Sequence, residues 1–155
     1  MVSLTDSLHA TITPKARRAR YSAGGPLSNH ATLTSDPTRA QLSLEQAIQC
    51  ARIADDNKAR DILILDLRGI TPIFDFFVLM TGASRRQIHT LAEEIDAYLT
   101  AEDEKRLSIQ GYQASRWIVQ DYGDIVVHVF DQESRSYYAL EDLWADAKRV
   151  DWKRE

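Results

Sequence analysis

The pair Gly82-x-Ser84 is the first place where residue type and spacing could support chemistry. It follows a predicted strand and precedes a predicted helix, where backbone amides and a helix N-terminus can hold a phosphate group. A nucleotide-transferring enzyme also needs two carboxylates at positions i and i+2 of a neighbouring strand, because these face the same way and can hold magnesium. No predicted strand contains Asp-x-Asp or Asp-x-Glu. Helix capping by Ser84 explains the motif without catalysis, and catalysis is kept as an alternative.

Histidine and cysteine give no further indication of catalysis. The four histidines, at positions 9, 30, 89 and 128, lack the spacing of metal ligands. The single cysteine, Cys50, lies among small apolar residues of a predicted helix, so we expect it to face the core. The sequence contains neither a phosphate loop with lysine nor a nucleophile elbow. We therefore predict no cofactor, no metal site and no enzymatic activity.

A predicted β-hairpin between positions 117 and 130 carries aromatic rings and charges together. Gly123 supplies the positive φ that a short turn requires between the two β-branched runs. The pairs predicted for a two-residue loop are Asp121 with Asp124, Val119 with Val126, and Trp117 with His128. Strand alternation then gives an apolar core face with Ile118, Ile125, Val127 and Val129. The second face carries Trp117, Val119, Asp121, Asp124, Val126, His128 and Phe130.

This second face is predicted to bind a partner. Its aspartates must reach water or a cationic partner, since an unpaired buried charge is costly, and rings bordered by charge are typical of protein interfaces. The predicted contact residues are Trp117, Asp121, His128, Arg135 and Tyr138. Core packing is the alternative for Trp117, and a ring stacked on Trp117 with a local hydrogen bond is the alternative for His128. Arg135 could pair with Asp131 or Glu133, or reach a partner carboxylate.

The last predicted helix follows this hairpin directly. Its expected common face carries Tyr137, Leu140, Glu141 and Trp144. Tyr137 and Tyr138 are adjacent and point about 100° apart, so one ring can be buried while the other is exposed. Leu143 and Trp144 are expected in the core.

Hydrophobic periodicity predicts the elements that position these residues. They are a helix from Ser43 to about Asn57, strands Ile62–Leu67 and Phe74–Thr81, a helix after Ser84, a strand Leu107–Gln110, the hairpin and the last helix. Ser43-x-x-Gln46 and Ser84-x-x-Gln87 are capping-box patterns. The second of these helices has an apolar face of Ile88, Leu91, Ala92, Ile95 and Leu99. The fold class predicted is α/β (α+β), one domain with a five-stranded mixed sheet and packed helices.

Charge divides the chain into two parts. Residues 1–40 carry five basic and two acidic residues and are rich in Ser, Thr, Ala, Gly and Pro. They are predicted to be a disordered extension, with a transit peptide or an RNA-touching tail as alternatives. The remainder carries 14 basic and 21 acidic residues, which favours a basic protein partner over direct binding of nucleic acid. The domain is expected over 43–146, with a frayed tail over 147–155 and no membrane span.

Several blocks of the sequence occur in the order of a known family. They are Asp75-Phe76-Phe77-Val78, Thr81-Gly82-x-Ser84, Gln87, the turn Asp121-Tyr122-Gly123-Asp124, Val126-Val127-His128-Val129-Phe130, Arg135, Tyr138 and Leu140-Glu141-x-Leu143-Trp144. Over about residues 43–146 the chain resembles the ribosomal silencing factors (RsfS, the Iojap family). Gln110, before Gly111, departs from the Glu that the family usually has. The resemblance implies a nucleotidyltransferase-like topology.

The resemblance also implies a function and a partner. A silencing factor binds ribosomal protein fourteen on the face of the large subunit that meets the small subunit, and blocks subunit joining by occupying space. This is a repressor of translation that needs no cofactor and acts in the cytoplasm, or in an organelle matrix if the first segment is a transit peptide. A nucleotidyltransferase-like enzyme or nucleotide-binding module and a large-subunit assembly factor remain alternatives. A homodimer of the free protein is also left open.

Overall fold

The computed structural model describes residues 37–154, whose elements follow the predicted order except that the last helix is divided in two and a sixth strand follows it. The helices are α1 (Pro37–Asp56), α2 (Arg85–Ala101), α3 (Gln132–Tyr138) and α4 (Leu140–Leu143). The strands are β1 (Arg60–Asp66), β2 (Phe76–Thr81), β3 (Ser108–Gln110), β4 (Trp117–Asp121), β5 (Ile125–Phe130) and β6 (Lys148–Arg149). None of the helices in this described part is both long and apolar enough to span a membrane.

All six strands form one mixed sheet in the order β3-β4-β5-β2-β1-β6. Strands β2 and β5 run parallel, and the other neighbouring pairs are antiparallel. The predicted α+β domain with a mixed sheet and packed helices is confirmed, whereas the predicted number of five strands is wrong. The additional strand, β6, consists of Lys148 and Arg149, both exposed. Two charged residues give no alternating apolar pattern from which a strand could be predicted.

Helix α1 begins at Pro37, six residues before its predicted start at Ser43. Proline is favoured at the first helical position because the N–H that it lacks would have no partner within the helix. Ser43 and Gln46 lie inside α1 with 0% and 1% of their surface exposed. Their assignment as a capping box is therefore wrong.

The first turn of α1 is held on the domain by ion pairs. The guanidinium of Arg39 lies 2.7 Å from a carboxylate oxygen of Glu104 and 3.1 Å from one of Asp124. The predicted disordered extension over residues 1–40 is therefore wrong for 37–40. The rest of that predicted extension lies outside the described residues.

Helix α2 begins as the sequence predicts. Ser84 Oγ accepts a hydrogen bond of 3.1 Å from the Gln87 N–H, and the Gln87 side chain in turn accepts from the Ala83 N–H. The apolar face of α2 is buried as predicted, and its members are Ile88, Leu91, Ala92, Ile95 and Leu99. Helix α2 and helix α1 cover the same face of the sheet.

The sheet buries apolar side chains on both of its faces. The first core lies under α1 and α2 and contains Cys50, which is 0% exposed as predicted, and Val127. The second core contains Phe77, Val119 and Phe130, together with Leu140 of α4. Both faces of the hairpin are therefore covered, although one was predicted to be a binding surface.

The hairpin has the predicted faces but a different register. The Tyr122 N–H donates to the Ile125 carbonyl over 2.9 Å, so the loop is Gly123-Asp124, and Gly123 has the predicted positive φ of 92°. The observed pairs are Trp117 with Phe130, Val119 with His128, and Asp121 with Val126. The predicted pairs are wrong by two residues, because Tyr122 pairs with Ile125 and does not belong to the loop. A shift of two residues keeps each side chain on its face.

The last predicted helix is broken into two short helices. Ala139, between α3 and α4, has left-handed backbone angles (φ 42°, ψ 50°), and its N–H closes α3 on the Arg135 carbonyl. The predicted common face is therefore wrong, since Tyr137 is 70% exposed while Leu140 is 2% exposed. Leu143 was expected in the core and is 59% exposed.

Residues after Asp146 pack on the domain, so the predicted frayed tail is wrong through residue 154. Strand β6 pairs with β1, and the Val150 N–H donates to the Ile64 carbonyl over 3.0 Å. Val150 and Trp152 pack against the first core. The Arg52 guanidinium holds the Trp152 carbonyl at 3.1 Å.

Candidate partner-binding site

Trp117 lies at the start of β4, with one edge in the second core and the other towards solvent. It is half-buried. Its ring stacks on Phe130 across the hairpin, with centroids 5.0 Å apart, and lies 4.6 Å from the ring of Tyr138 on α3. Core packing, the alternative considered for Trp117, describes part of the side chain, and the half-buried ring leaves a partner contact open as a prediction.

His128 lies beneath Trp117 and is 2% exposed. The indole N–H of Trp117 donates to Nδ1 of His128 over 3.1 Å, so Nδ1 must carry a lone pair. The ring of Phe77 lies 4.6 Å away on the sheet. The local hydrogen bond with Trp117 was the alternative considered for His128. A direct partner contact does not fit this burial, and His128 instead orients the Trp117 indole.

Asp121 is 3% exposed, so the expectation that it must reach water or a cationic partner is wrong. One of its carboxylate oxygens accepts a 2.7 Å hydrogen bond from the Gly123 N–H. A short aspartate side chain often holds a turn by this bond to the backbone two residues ahead. Asp121 therefore stabilises the β4–β5 turn.

Arg135 is 6% exposed and lies inside the domain. Its guanidinium contacts both carboxylate oxygens of Glu141 at 3.3 Å and donates to Thr81 Oγ1 over 3.0 Å. The predicted pairing with Asp131 or Glu133 is wrong, because the break at residue 139 brings α4 back towards α3. Through these contacts Arg135 connects α3 with α4 and with the end of β2. They hold in place the helix that carries Tyr137 and Tyr138.

Tyr138 and Tyr137 divide between core and solvent, as their spacing predicts. Tyr138 is half-buried against the second core, while Tyr137 is 70% exposed. Their rings meet edge to face with centroids 4.9 Å apart. Tyr137 was not among the predicted contacts, although its adjacency to Tyr138 was the signal available in the sequence. Which tyrosine faces outward depends on where α3 ends.

These side chains line a groove of about 540 Å³, here called the aromatic groove. Its lining residues are Gln110, Gly111, Ala114, Arg116, Trp117, Glu133, Ser134, Tyr137 and Tyr138. At Gly111 (φ 77°) an added Cβ would lie 2.1 Å from the Trp117 carbonyl oxygen, so only glycine permits this approach of the chain. The groove combines three aromatic rings with one positive and one negative side chain at its wall.

The polar groups of the described residues show no catalytic arrangement. Ser115 Oγ lies 2.6 Å from His89 Nε2, but the same nitrogen lies 2.8 Å from the Tyr112 carbonyl oxygen. A carbonyl can only accept, so Nε2 carries the proton and cannot take one from Ser115. Burial raises the pKa of the Cys50 thiol, which disfavours a reactive thiolate. Within residues 37–154, no three His, Cys, Asp or Glu side chains are placed to hold a metal ion.

Comparison with known proteins identifies the family. The family model described as "Ribosomal silencing factor during starvation" matches residues 40–155. "Ribosomal silencing factor RsfS" of Halalkalibacterium halodurans is 37% identical over 111 residues, which is 71% of this chain and 95% of that protein. The protein of the same name in Bacillus subtilis is 41% identical over 101 residues, 65% of this chain and 86% of that protein. A crystal structure from Bacillus halodurans, 34% identical, matches with a TM-score of 0.60 over 72% of this chain and 98% of that one. The chain belongs to the family of ribosomal silencing factors.

Proposed function

We propose that this chain binds ribosomal protein fourteen on the large ribosomal subunit and prevents the small subunit from joining. The bound domain occupies the face where the two subunits meet and represses translation by steric exclusion, in the cytoplasm where ribosomes work. The contact is made by the aromatic groove, with Trp117, Tyr137 and Tyr138 at its centre. This is a binding function, and it requires no cofactor.

The observation that carries this proposal is the solvent-facing cluster of three rings. Tyr137 is 70% exposed and meets Tyr138, which in turn lies against Trp117. Aromatic side chains that are partly held by a core have little rotational freedom to lose on binding, and such residues dominate interface energetics. The rigid underside of the cluster, His128 and Phe130, keeps the rings in place before a partner arrives.

The charge of the domain suits a basic partner. Arg116 and Glu133 balance each other at the wall of the groove, so the acidity comes from the rest of the domain. Residues 41–155 carry 21 acidic and 14 basic side chains. A basic ribosomal protein would be steered towards such a surface, so its association rate should fall as salt is raised.

Co-sedimentation with purified large subunits, with and without small subunits, tests this proposal. We expect the protein to sediment with large subunits and to reduce the yield of joined ribosomes in proportion to its occupancy. Tyr137→Ala should weaken this binding by ~2 kcal/mol or more without lowering the melting temperature, because the ring is mostly exposed. Leu42→Ala is the matched control, since Leu42 is an exposed apolar residue of α1, on the opposite side of the sheet.

Three outcomes would each reject a part of the proposal. Binding to large subunits with undiminished subunit joining would reject steric exclusion. Binding to large subunits without any pull-down of isolated ribosomal protein fourteen would reject that protein as the contact. Equal affinities of the Tyr137→Ala and Leu42→Ala variants would reject the aromatic groove as the interface.

A further inference from the structure

A second cavity, of about 320 Å³, opens at the carboxyl ends of the parallel strands β2 and β5. The two strands end side by side, where Thr81 pairs with Phe130 and the Gly82 N–H donates to the Phe130 carbonyl over 2.8 Å. The chain then leaves in two directions, into α2 and into α3. Ligands of α/β sheets bind in the crevice formed where neighbouring connections diverge in this way.

Three arginines line this cavity, here called the arginine crevice: Arg60, Arg85 and Arg116. Arg60 is paired with Thr81 at the end of β2, Arg85 is the first residue of α2, and Arg116 directly precedes β4. All three are exposed, and none forms an ion pair with an acidic side chain among residues 37–154. The Arg85 guanidinium donates to the neutral carbonyl of Gln113 over 2.9 Å. Three cations without a carboxylate partner leave the crevice with an unmatched positive charge.

The remaining polar groups of the crevice do not cancel this charge. Asp131 also lines it and caps α3 by accepting from the Ser134 N–H over 2.7 Å, but its single negative charge offsets only one of the three arginines. The first backbone N–H groups of α2 have no acceptor within the helix and add to the positive potential. At Gly82 an added Cβ would lie 2.6 Å from Ile88 Cγ1, so glycine allows the chain to turn tightly into α2 beside the arginines.

We propose that the arginine crevice binds a backbone phosphate of ribosomal RNA beside the protein contact. Arginine forks match phosphate oxygens in charge and geometry. The crevice shares Ala114 and Arg116 with the aromatic groove, so a partner in the groove would bring the RNA around it to the crevice. The inference rests on the proposed function, because the RNA is supplied by the subunit to which the groove docks. The overall acidity of the domain does not prevent it, since charges beyond a Debye length of ~8 Å are largely screened.

A double variant of the full chain that removes two positive charges, Arg60→Gln/Arg85→Gln, tests this proposal. Affinity for purified large subunits is measured over a range of potassium chloride concentrations, beside wild type and an Arg86→Gln control. Arg86 is exposed in the same turn of α2 but does not line the crevice. We expect the double variant to bind about tenfold more weakly at low salt. The slope of log K against log salt should become shallower by ~0.7–0.9 for the lost phosphate contact. The control should keep the wild-type slope.

Failure of this inference can be told apart from failure of the proposed function. If wild type binds subunits and the double variant shows the same affinity and slope, the crevice proposal is overturned while the groove stands. If wild type does not bind subunits, the proposed function fails, and the crevice is judged by NMR titration of the Gly82 and Ala83 amides with a single-stranded RNA hexamer. Shifts that the double variant abolishes would support phosphate binding. The phosphate-binding proposal would be overturned if the RNA caused no shifts. It would also be overturned if a magnesium nucleotide caused shifts and the RNA did not.

Discussion

The indole N–H of Trp117 donates a hydrogen bond to Nδ1 of His128 over 3.1 Å, across the β4–β5 hairpin. This bond needs His128 with a lone pair on Nδ1, and it fixes the angle of an indole that is otherwise open to solvent on one side. A buried histidine thus determines how an exposed aromatic surface is presented. Its own effect on binding is indirect, through the position of Trp117.

Removal of the Trp117 ring should affect binding more than folding. Trp117→Ala is expected to weaken binding to large subunits by ~2–4 kcal/mol, the range of an aromatic hot spot. Its cost in stability should stay below the ~3–5 kcal/mol of a fully buried tryptophan, because the ring is half-buried. Trp117→Phe, which keeps a ring but loses the donor to His128, should fall between alanine and wild type. Co-sedimentation and urea unfolding measure the two effects, and wild-type binding by Trp117→Ala would disprove the role of the ring.

Asp121 should matter for stability. Asp121→Ala leaves the Gly123 N–H without its acceptor, and we expect a loss of ~1–3 kcal/mol in the free energy of unfolding. Asp121→Asn should cost less, since the amide oxygen can accept the same hydrogen bond. Urea denaturation at neutral pH distinguishes the two variants. Equal stability of Asp121→Ala and wild type would show that the turn does not depend on this carboxylate.

The Arg135–Glu141 pair should show strong coupling. Glu141→Ala leaves a guanidinium that is 6% exposed without its carboxylate, and such a loss costs ~3–5 kcal/mol when the partner charge stays buried. The double variant Arg135→Met/Glu141→Ala removes both charges and should recover part of that loss. The measurement is a double-mutant cycle of unfolding free energies. Additive losses would mean that the two side chains act independently.

Alkaline pH should destabilise the domain partly through Tyr122. Burial and a hydrogen bond to Asp96 raise the pKa of this phenol in the folded state. In the unfolded chain the phenol ionises near pH ~10, so the stability it contributes is complete below that pH and is lost as pH rises further. Tyr122→Phe should therefore lose less stability between about pH 8 and about pH 11 than wild type. Tyr137→Phe, at a ring that is 70% exposed, should retain the wild-type dependence.

Trp152 tests whether the segment after Asp146 belongs to the folded domain. Its ring packs against the first core, and its carbonyl accepts from Arg52. Trp152→Ala should lower the free energy of unfolding by about 3 kcal/mol, the lower end of the range for an aromatic residue, because the ring is only partly buried. The neighbouring, exposed Lys153→Ala is the control. A frayed segment would make both variants as stable as wild type.

The sequence predicted those elements whose pattern repeats within a few residues. The apolar face of α2 and the Ser84 cap follow from spacing and local hydrogen bonding, and both are present. The faces of the hairpin were also correct, since alternation alone determines them. Its register was not, because the Tyr122 N–H pairs with the Ile125 carbonyl beyond the end of β4 and shortens the loop to Gly123-Asp124. Tyr122 also contacts the distant α2, where Asp96 accepts from its hydroxyl over 2.7 Å.

The candidate site was harder to predict, since burial of polar residues depends on tertiary contacts. Asp121 was predicted to contact a partner because a buried charge without a partner is costly, and His128 and Arg135 were predicted to contact the same partner. Each instead finds an internal partner: the Gly123 N–H, the Trp117 N–H and the Glu141 carboxylate. Tyr137, which is 70% exposed, was also missed, and the left-handed residue Ala139 that ends α3 was not predicted. An alanine in that conformation has no signal in the sequence.

The two edges of the sheet restrict how any other chain can attach. Peptides that lengthen a sheet need a long, open edge strand on which to form backbone hydrogen bonds. Among residues 37–154 the edges are β3, with three residues, and β6, with the two charged residues Lys148 and Arg149. Strand addition is therefore disfavoured for a ribosomal protein and for a second copy of this chain alike. Binding of a partner then depends on side-chain contacts. Surface substitutions can therefore change which partner binds without changing the backbone.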